Sequence, residues 1–194
     1  MDKEHILSVF RDAEALLEGH FQLTSGLHSP TYFQCAKVLQ HPKYCELLCG
    51  EIARHYLGAA IDAVIAPALG GLVVSQEVGR QLRVRSMFAE RKEGTMQLRR
   101  GFVIGRGERL LVCEDVVTTG GSVGEVLRIV SEEGGVAAGV ACIVDRSGGT
   151  SASQAGGGAP LFSVVALDVV TYRPESCPLC ARGTPVVKPG SRGN

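Results

Sequence analysis

The sequence predicts an α/β fold: a central parallel sheet flanked by helices, with a small N-terminal hood over one end. Three observations carry this. From residue 63 onward, short apolar runs alternate with amphipathic stretches of helical length, and strands that are apolar throughout belong to a parallel sheet covered on both faces. Before that, GHFQLTSGLHSPTYFQCAKVLQ sets β-type residues on either side of a Ser/Gly/Pro turn, which reads as a hairpin-like element beside the main sheet. At 194 residues, 45% hydrophobic and 21% charged, the chain is long enough for one domain with a buried core.

Taken in order, residues 4–18 bring Ile6, Leu7, Phe10, Ala13, Leu16 and Leu17 to one helical face, and Gly19 suits the C-cap. Pro42 opens a second helix running to about Leu57, with proline in the tolerated first turn. The sheet region follows as strand AVIA (63–66), helix Leu72 to Leu82, strands SMFA (86–89) and LLVCEDV (110–116), helix Val123 to Glu133, and strand VAAGVACIVD (136–145). SGGTSASQAGGGAP (147–160) reads as a surface loop before a last strand, LFSVVALDVV. The single domain, 1–194, divides into a hood of about 1–40, a core of about 41–173 and a tail, 174–194.

Composition narrows the partners. Twenty basic residues balance twenty acidic ones, so no polyanion or anionic membrane surface is implied, and any anion site must be local. No nucleic acid and no membrane are expected as partners. The N-terminus carries acids among its apolar residues, which fits neither a signal peptide nor a membrane span. Seven cysteines form an odd set without a regular framework, reading as reduced thiols and hence a cytoplasmic protein. Only Cys177 and Cys180, in CPLC, have ligand-like spacing. One such pair supplies two ligands where structural zinc takes four, and no second CxxC or paired histidine follows. The pair is therefore expected to form a turn of the tail, and no metal-ligating set is assigned. For His20, His28 and His41, packing is the expected role.

The chemistry is concentrated in LLVCEDVVTTGGSV, residues 110–123. Open parallel sheets bind ligands at the carboxyl ends of their strands, where Glu114 and Asp115 emerge. Adjacent carboxylates there can accept hydrogen bonds from the vicinal hydroxyls of a ribose. Thr118 to Ser122 then form a turn at a helix N-terminus, where unpaired amides and the helix dipole favour a phosphate. The glycines Gly120 and Gly121 let the backbone approach it. Together these describe a site for ribose 5-phosphate. The motifs of nucleotide triphosphatases and dinucleotide-binding folds, G-x-x-x-x-G-K-S/T and a post-strand G-x-G-x-x-G, are absent. A second anion cup, Pro67-Ala68-Leu69-Gly70-Gly71, lies between a buried strand and a helix. Residues 91–100 gather Arg91, Lys92, Arg99 and Arg100 in a segment too polar for the core, a source of cations for an anionic ligand. Arg146 follows a strand end and could grip a carboxylate with its planar fork.

VCEDVVTTGGSV resembles the phosphoribosyl pyrophosphate signature of the type I phosphoribosyltransferase family. Four more segments are similar to those of its orotate-using branch: LLEGHFQLTSGLHSPTYFQ (16–34) to the hood, IAPALGGLVVS (65–75) to the pyrophosphate loop, FAERKEGTMQLRRGF (88–102) to the mobile catalytic loop and VDRSGG (144–149) to the base-binding loop. The resemblance spans about 15–173 and implies the type I phosphoribosyltransferase fold. It implies that Glu114 and Asp115 hold the ribose hydroxyls, and that Val116, Val117, Thr118, Thr119, Gly120, Gly121 and Ser122 wrap the 5-phosphate. Ala68, Leu69, Gly70, Arg91 and Lys92 would contact pyrophosphate, and Thr118 and Arg146 would bind orotate. Lys92, Arg100 and Asp115 would be catalytic, with Mg2+ as cofactor, in a homodimer with shared active sites. Thr24 departs from the family, whose members carry a lysine there; His28 or Lys37 could supply that cation instead. A purine-base transferase is disfavoured by the hood and by Arg146. A ligand-sensing regulator of nucleic acid would need a basic face or an added domain.

Overall fold

A computed structural model describes residues 1–23, 25–148, 158–167 and 170–189. Thr24, Gly149 and the greater part of the glycine-rich stretch 147–160 lie outside the described residues. Helix α1 (Lys3–Asp12) is capped by the Asp2 side chain, which accepts from the His5 amide at 2.8 Å. It stops well before the expected Gly19. Glu14 takes a left-handed φ of 50°, and Leu16 and Leu17 enter strand β1 (Leu16–Gln22) opposite Phe33 and Tyr32 of β2 (His28–Phe33). Gly19 sits in the register shift between Glu18 and Phe21, where a Cβ would come 3.1 Å from the Phe21 ring. It serves a β-bulge rather than a helix cap.

This hairpin is the hood, a two-stranded sheet of its own. After it come α2 (Cys35–Leu39), which the sequence reading had taken as extended, and α3 (Pro42–His55). The main sheet begins with β3 (Ala63–Pro67), α4 (Gly70–Leu82), β4 (Arg85–Lys92) and β5 (Thr95–Leu98). It continues with β6 (Arg109–Val117), α5 (Gly121–Glu132), β7 (Val136–Asp145) and β8 (Leu161–Ala166). A 3-10 turn (Pro174–Ser176) and a short helix α6 (Pro178–Ala181) follow in the tail.

The strand order is β5-β4-β3-β6-β7-β8, parallel except for β5, which pairs antiparallel with β4. The sheet is therefore mixed at one edge. The basic segment expected as an open loop forms this hairpin, turned at Glu93 and Gly94 with φ of 53° and 83°. Alternate residues of β6 serve opposite faces. Leu111 and Cys113 pack with α1, α3 and α4 through Phe10, Leu48, Ile52, Val74 and Val78. Leu110 and Val112 pack with α5 through Val126, Leu127 and Val130. No helix among the described residues is long and apolar enough to cross a membrane.

The chain runs outward from β3 to β4 in one direction and from β6 to β7 and β8 in the other. The topological switch point thus lies between the carboxyl ends of β3 and β6, where open α/β sheets bind ligands. The opposite end is fastened by charge: Arg85 donates to Glu108 through Nε at 3.0 Å and Nη2 at 2.6 Å, and to the Val103 carbonyl at 2.7 Å. The guanidinium holds the Glu108 carboxyl below its ordinary range.

Two consequences are measurable. A depressed folded-state pKa contributes stability above the ordinary carboxylate value of about 4.3 and loses it as pH falls through the folded value. Glu108→Gln should therefore cost up to about 1 kcal/mol in urea unfolding at pH 7, with the difference from wild type vanishing at acidic pH. Gly139 faces Tyr56, and a Cβ there would meet the phenol oxygen at 2.4 Å and the ring at 3.0 Å. Gly139→Ala should cost about 1–3 kcal/mol in the same assay.

Candidate active site

Glu114 and Asp115 end β6 at the switch point, against the first turn of α4. A Cβ on Gly70 would lie 2.6 Å from an Asp115 carboxylate oxygen, and one on Gly71 2.9 Å from a Glu114 oxygen and 3.0 Å from the Cys113 carbonyl. Two successive glycines are therefore what lets both acids rest on the amino end of this helix. The Gly71 amide donates to Glu114, a stabilising position for an acid at a helix N-terminus. The Asp115 amide donates to Glu114 at 3.1 Å, and the Val116 amide to Asp115 at 2.8 Å. Burial, followed by the neighbouring Asp115 charge, pushes Glu114 up to about 9. Burial thus favours the protonated form of Glu114, which can donate as well as accept.

Past Val117 the chain turns through Thr118 and Thr119 to Gly120, whose φ of 74° caps α5. Glu114 and residues 116–123 line a cleft of about 70 Å³. Unpaired amides at the start of this 12-residue helix give the cleft its anion preference. The loop before α4 begins with Ala68, whose amide donates to the Ala89 carbonyl at 2.8 Å, and a cis peptide joins Ala68 to Leu69. Leu69 is 83% exposed at the mouth of the site.

A larger cavity of about 720 Å³ opens beside Asp115, Val116, Thr118 and Thr119. Its far wall comes from the hood and α2, including Tyr32, Gln34 and Cys35, and from Arg146 after β7. The Arg146 amide is anchored on the Val117 carbonyl at 2.9 Å. Its guanidinium Nε is buried without a hydrogen-bond partner among the described residues, and burial lowers its pKa. A half-buried guanidinium whose Nε is buried without a partner among the described residues, at the wall of a cavity, is a costly arrangement that an anionic ligand would relieve. Tyr32, which lies close enough to Arg146 to feel its charge, has its own pKa raised by burial.

The sequence-assigned residues thus separate into two groups. Glu114, Asp115, residues 116–122, Gly70 and Arg146 converge on the switch point. The basic segment does not line either cavity of its own chain. Arg91 pairs with Glu125 in the first part of α5, while Arg99 and Arg100 both pair with Glu90. Lys92 has no ion-pair partner among the described residues. Neither substitute for a lysine at Thr24 faces the cavity: Lys37 lies 3.8 Å from Glu14, and His28 is buried against His20 and Cys180. Tyr32, Gln34 and Cys35 were not singled out from sequence, because TYFQC reads only as strand and packing residues.

The Phosphoribosyl transferase domain family matches residues 36–157. An orotate phosphoribosyltransferase of Chlorobaculum parvum is 54% identical over 194 residues, covering 100% of this chain and 98% of that protein. One from Caldicellulosiruptor saccharolyticus is 54% identical over 192 residues, covering 99% and 98%. Among solved structures, orotate phosphoribosyltransferase from Aeropyrum pernix superposes with a TM-score of 0.71 at 26% identity, covering 84% of this chain and 93% of that one. An adenine phosphoribosyltransferase from Thermoanaerobacter pseudethanolicus, at 15% identity and a TM-score of 0.63, covers 71% and 88% and shares the fold. With more than half its length matched by the domain family and this identity from end to end, the chain belongs to the orotate phosphoribosyltransferases.

Proposed function

We propose that the chain is a pentosyltransferase that moves the 5-phosphoribosyl group of phosphoribosyl pyrophosphate onto orotate, releasing pyrophosphate and orotidine 5′-monophosphate. The observation that carries the choice of base is Arg146, whose buried Nε has no hydrogen-bond partner among the described residues, at the wall of a cavity that also contains Asp115 and Thr118. Orotate brings a carboxylate to that wall, and purine bases do not.

In this reading the 5-phosphate is held by the amides and hydroxyls of 118–122, and the ribose hydroxyls by Glu114 and Asp115. The pyrophosphate meets the loop Ala68-Leu69-Gly70. A ring nitrogen of orotate then displaces pyrophosphate at the anomeric carbon, without a covalent enzyme intermediate. Catalysis is positioning together with stabilisation of the charges that develop on sugar and leaving group. Asp115, with the diphosphate and hydroxyl oxygens of the substrate, is an all-oxygen donor set that fits Mg2+. When bound, the ion neutralises charge on the departing pyrophosphate.

The hairpin carrying Arg91, Lys92 and Arg100 serves the site of a neighbouring subunit in a homodimer. Its absence from the cavities of its own chain supports this. The cysteines, all free thiols, suit a cytoplasmic enzyme.

Following the ultraviolet absorbance of orotate with phosphoribosyl pyrophosphate and Mg2+ tests the assignment. Wild type should consume orotate and leave adenine and xanthine untouched; the reverse result would overturn the choice of base. Arg146→Ala should lose about 10- to 100-fold in kcat/KM for orotate, the magnitude of one charge-assisted pair. A Cβ at Gly70 would lie 2.6–2.8 Å from both oxygens and Cγ of Asp115, all side-chain atoms, so Gly70→Ala displaces that whole carboxylate and should fold with wild-type circular dichroism. Its turnover should fall by about 10- to 100-fold through misplacement of that acid.

A further inference from the structure

We infer that His20, His28, Cys177 and Cys180 form a tetrahedral zinc site that fastens the C-terminal tail to the hood. Their ligand atoms all lie within 4.8 Å of one another. Cys177 Sγ is 3.6 Å and Cys180 Sγ 3.7 Å from His20 Nε2, and Cys180 Sγ is 3.3 Å from His28 Nδ1. Sulfur about 2.3 Å and nitrogen about 2.0–2.1 Å from a tetrahedral zinc lie roughly 3.3–3.8 Å apart along the edges of the polyhedron. These three sulfur–nitrogen distances already fall in that range. His20 Nε2 and His28 Nδ1, at 2.8 Å, need to part by about half an ångström to admit the ion.

The histidine geometry is prepared for a metal. His20 Nδ1 lies 2.8 Å from the Thr184 carbonyl, which can only accept, so Nδ1 carries the proton and Nε2 turns its lone pair into the cluster. A backbone carbonyl holding the far nitrogen of a ligating imidazole is the usual outer support of a zinc site. His20, His28 and Cys177 are 2%, 6% and 3% exposed, while Cys180 sits at the surface and leaves an entry path.

The tail also needs such a tie. Of its described residues, 174–189, only Cys177 is buried, and Val186 and Val187 are each more than half exposed. Backbone pairing of Val187 with His20 and Gln22, and of Tyr172 with His28, aligns tail and hood but buries little apolar surface. A segment without a core of its own is the kind that a structural metal stabilises. Both thiols bind as thiolates, and their two protons pass to solvent.

The test is the metal content of the full-length protein, purified under reducing conditions after growth with zinc. About one zinc per chain is expected. Removal by a chelator should lower the melting temperature by more than about 5 °C. Refilling the stripped wild type with Co2+ should give the intense visible bands and near-ultraviolet thiolate charge transfer of a tetrahedral site. Cys180→Ser, at an exposed position, should fold but lose the charge-transfer intensity and retain zinc poorly. Wild type that takes up neither ion would overturn the inference. So would zinc that persists undiminished in both Cys177→Ser and Cys180→Ser.

Discussion

The architecture depends on one close contact, that between the consecutive acids at the end of β6 and the glycine-opened first turn of α4. Glu114 and Asp115 can lie there only because Gly70 and Gly71 present no side chain; a Cβ at either would sit under 3 Å from a carboxylate oxygen. The contact joins the two strands that flank the topological switch point. It also sets the acids directly against the loop before α4. Burial of Glu114 beside the Asp115 charge has an electrostatic consequence, since both disfavour the charged form of Glu114. The Glu114 carboxyl is pushed up to about 9.

The same desolvation acts in the opposite sense on Arg146. Its guanidinium is held in the cavity wall with Nε unpaired among the described residues, although Asp115 lines the same cavity. Direct pairing would satisfy both groups and close the space between them. The framework prevents it, because the Arg146 amide is fixed on Val117 and Asp115 is turned toward α4. Unspent polarity on both sides of a cavity of about 720 Å³ is what a ligand with hydroxyls at one end and a carboxylate at the other would use.

Much of this was legible because the chemistry is local in sequence. VCEDVVTTGGSV contains strand, acids, turn and helix start within twelve consecutive residues, so spacing alone determines what meets what. Continuous apolar runs likewise identified the parallel strands. Failures came where tertiary context overrode local pattern. Leu16 and Leu17 continue the helical period of α1, but their pairing with Phe33 and Tyr32 draws them into the hood. The charges of 91–100 suggested an open loop, whereas Met96, 4% exposed in the core beneath α5, holds that segment as a strand. Tyr32 enters the cavity wall from an ordinary strand sequence that carries no chemical signature.

The tail shows the limit most clearly. CPLC has the spacing of half a zinc site, and a search for its other half naturally runs along the chain to a second pair of similar form. Here the other half lies upstream, 149 to 160 residues away, on two strands where His20 and His28 are separated by the hairpin turn. Neither histidine is distinctive alone. They become a pair only when β1 and β2 assemble, with their ring centroids 4.7 Å apart, and a four-ligand set only when the tail returns across them. Because the same hairpin supplies Tyr32 to the cavity, and the tail supplies Thr171, the junction of hood and tail also shapes one wall of the site. The ends of the chain, which share no local sequence signal with the catalytic segment, thus bear on its geometry through a closure over most of the chain's length.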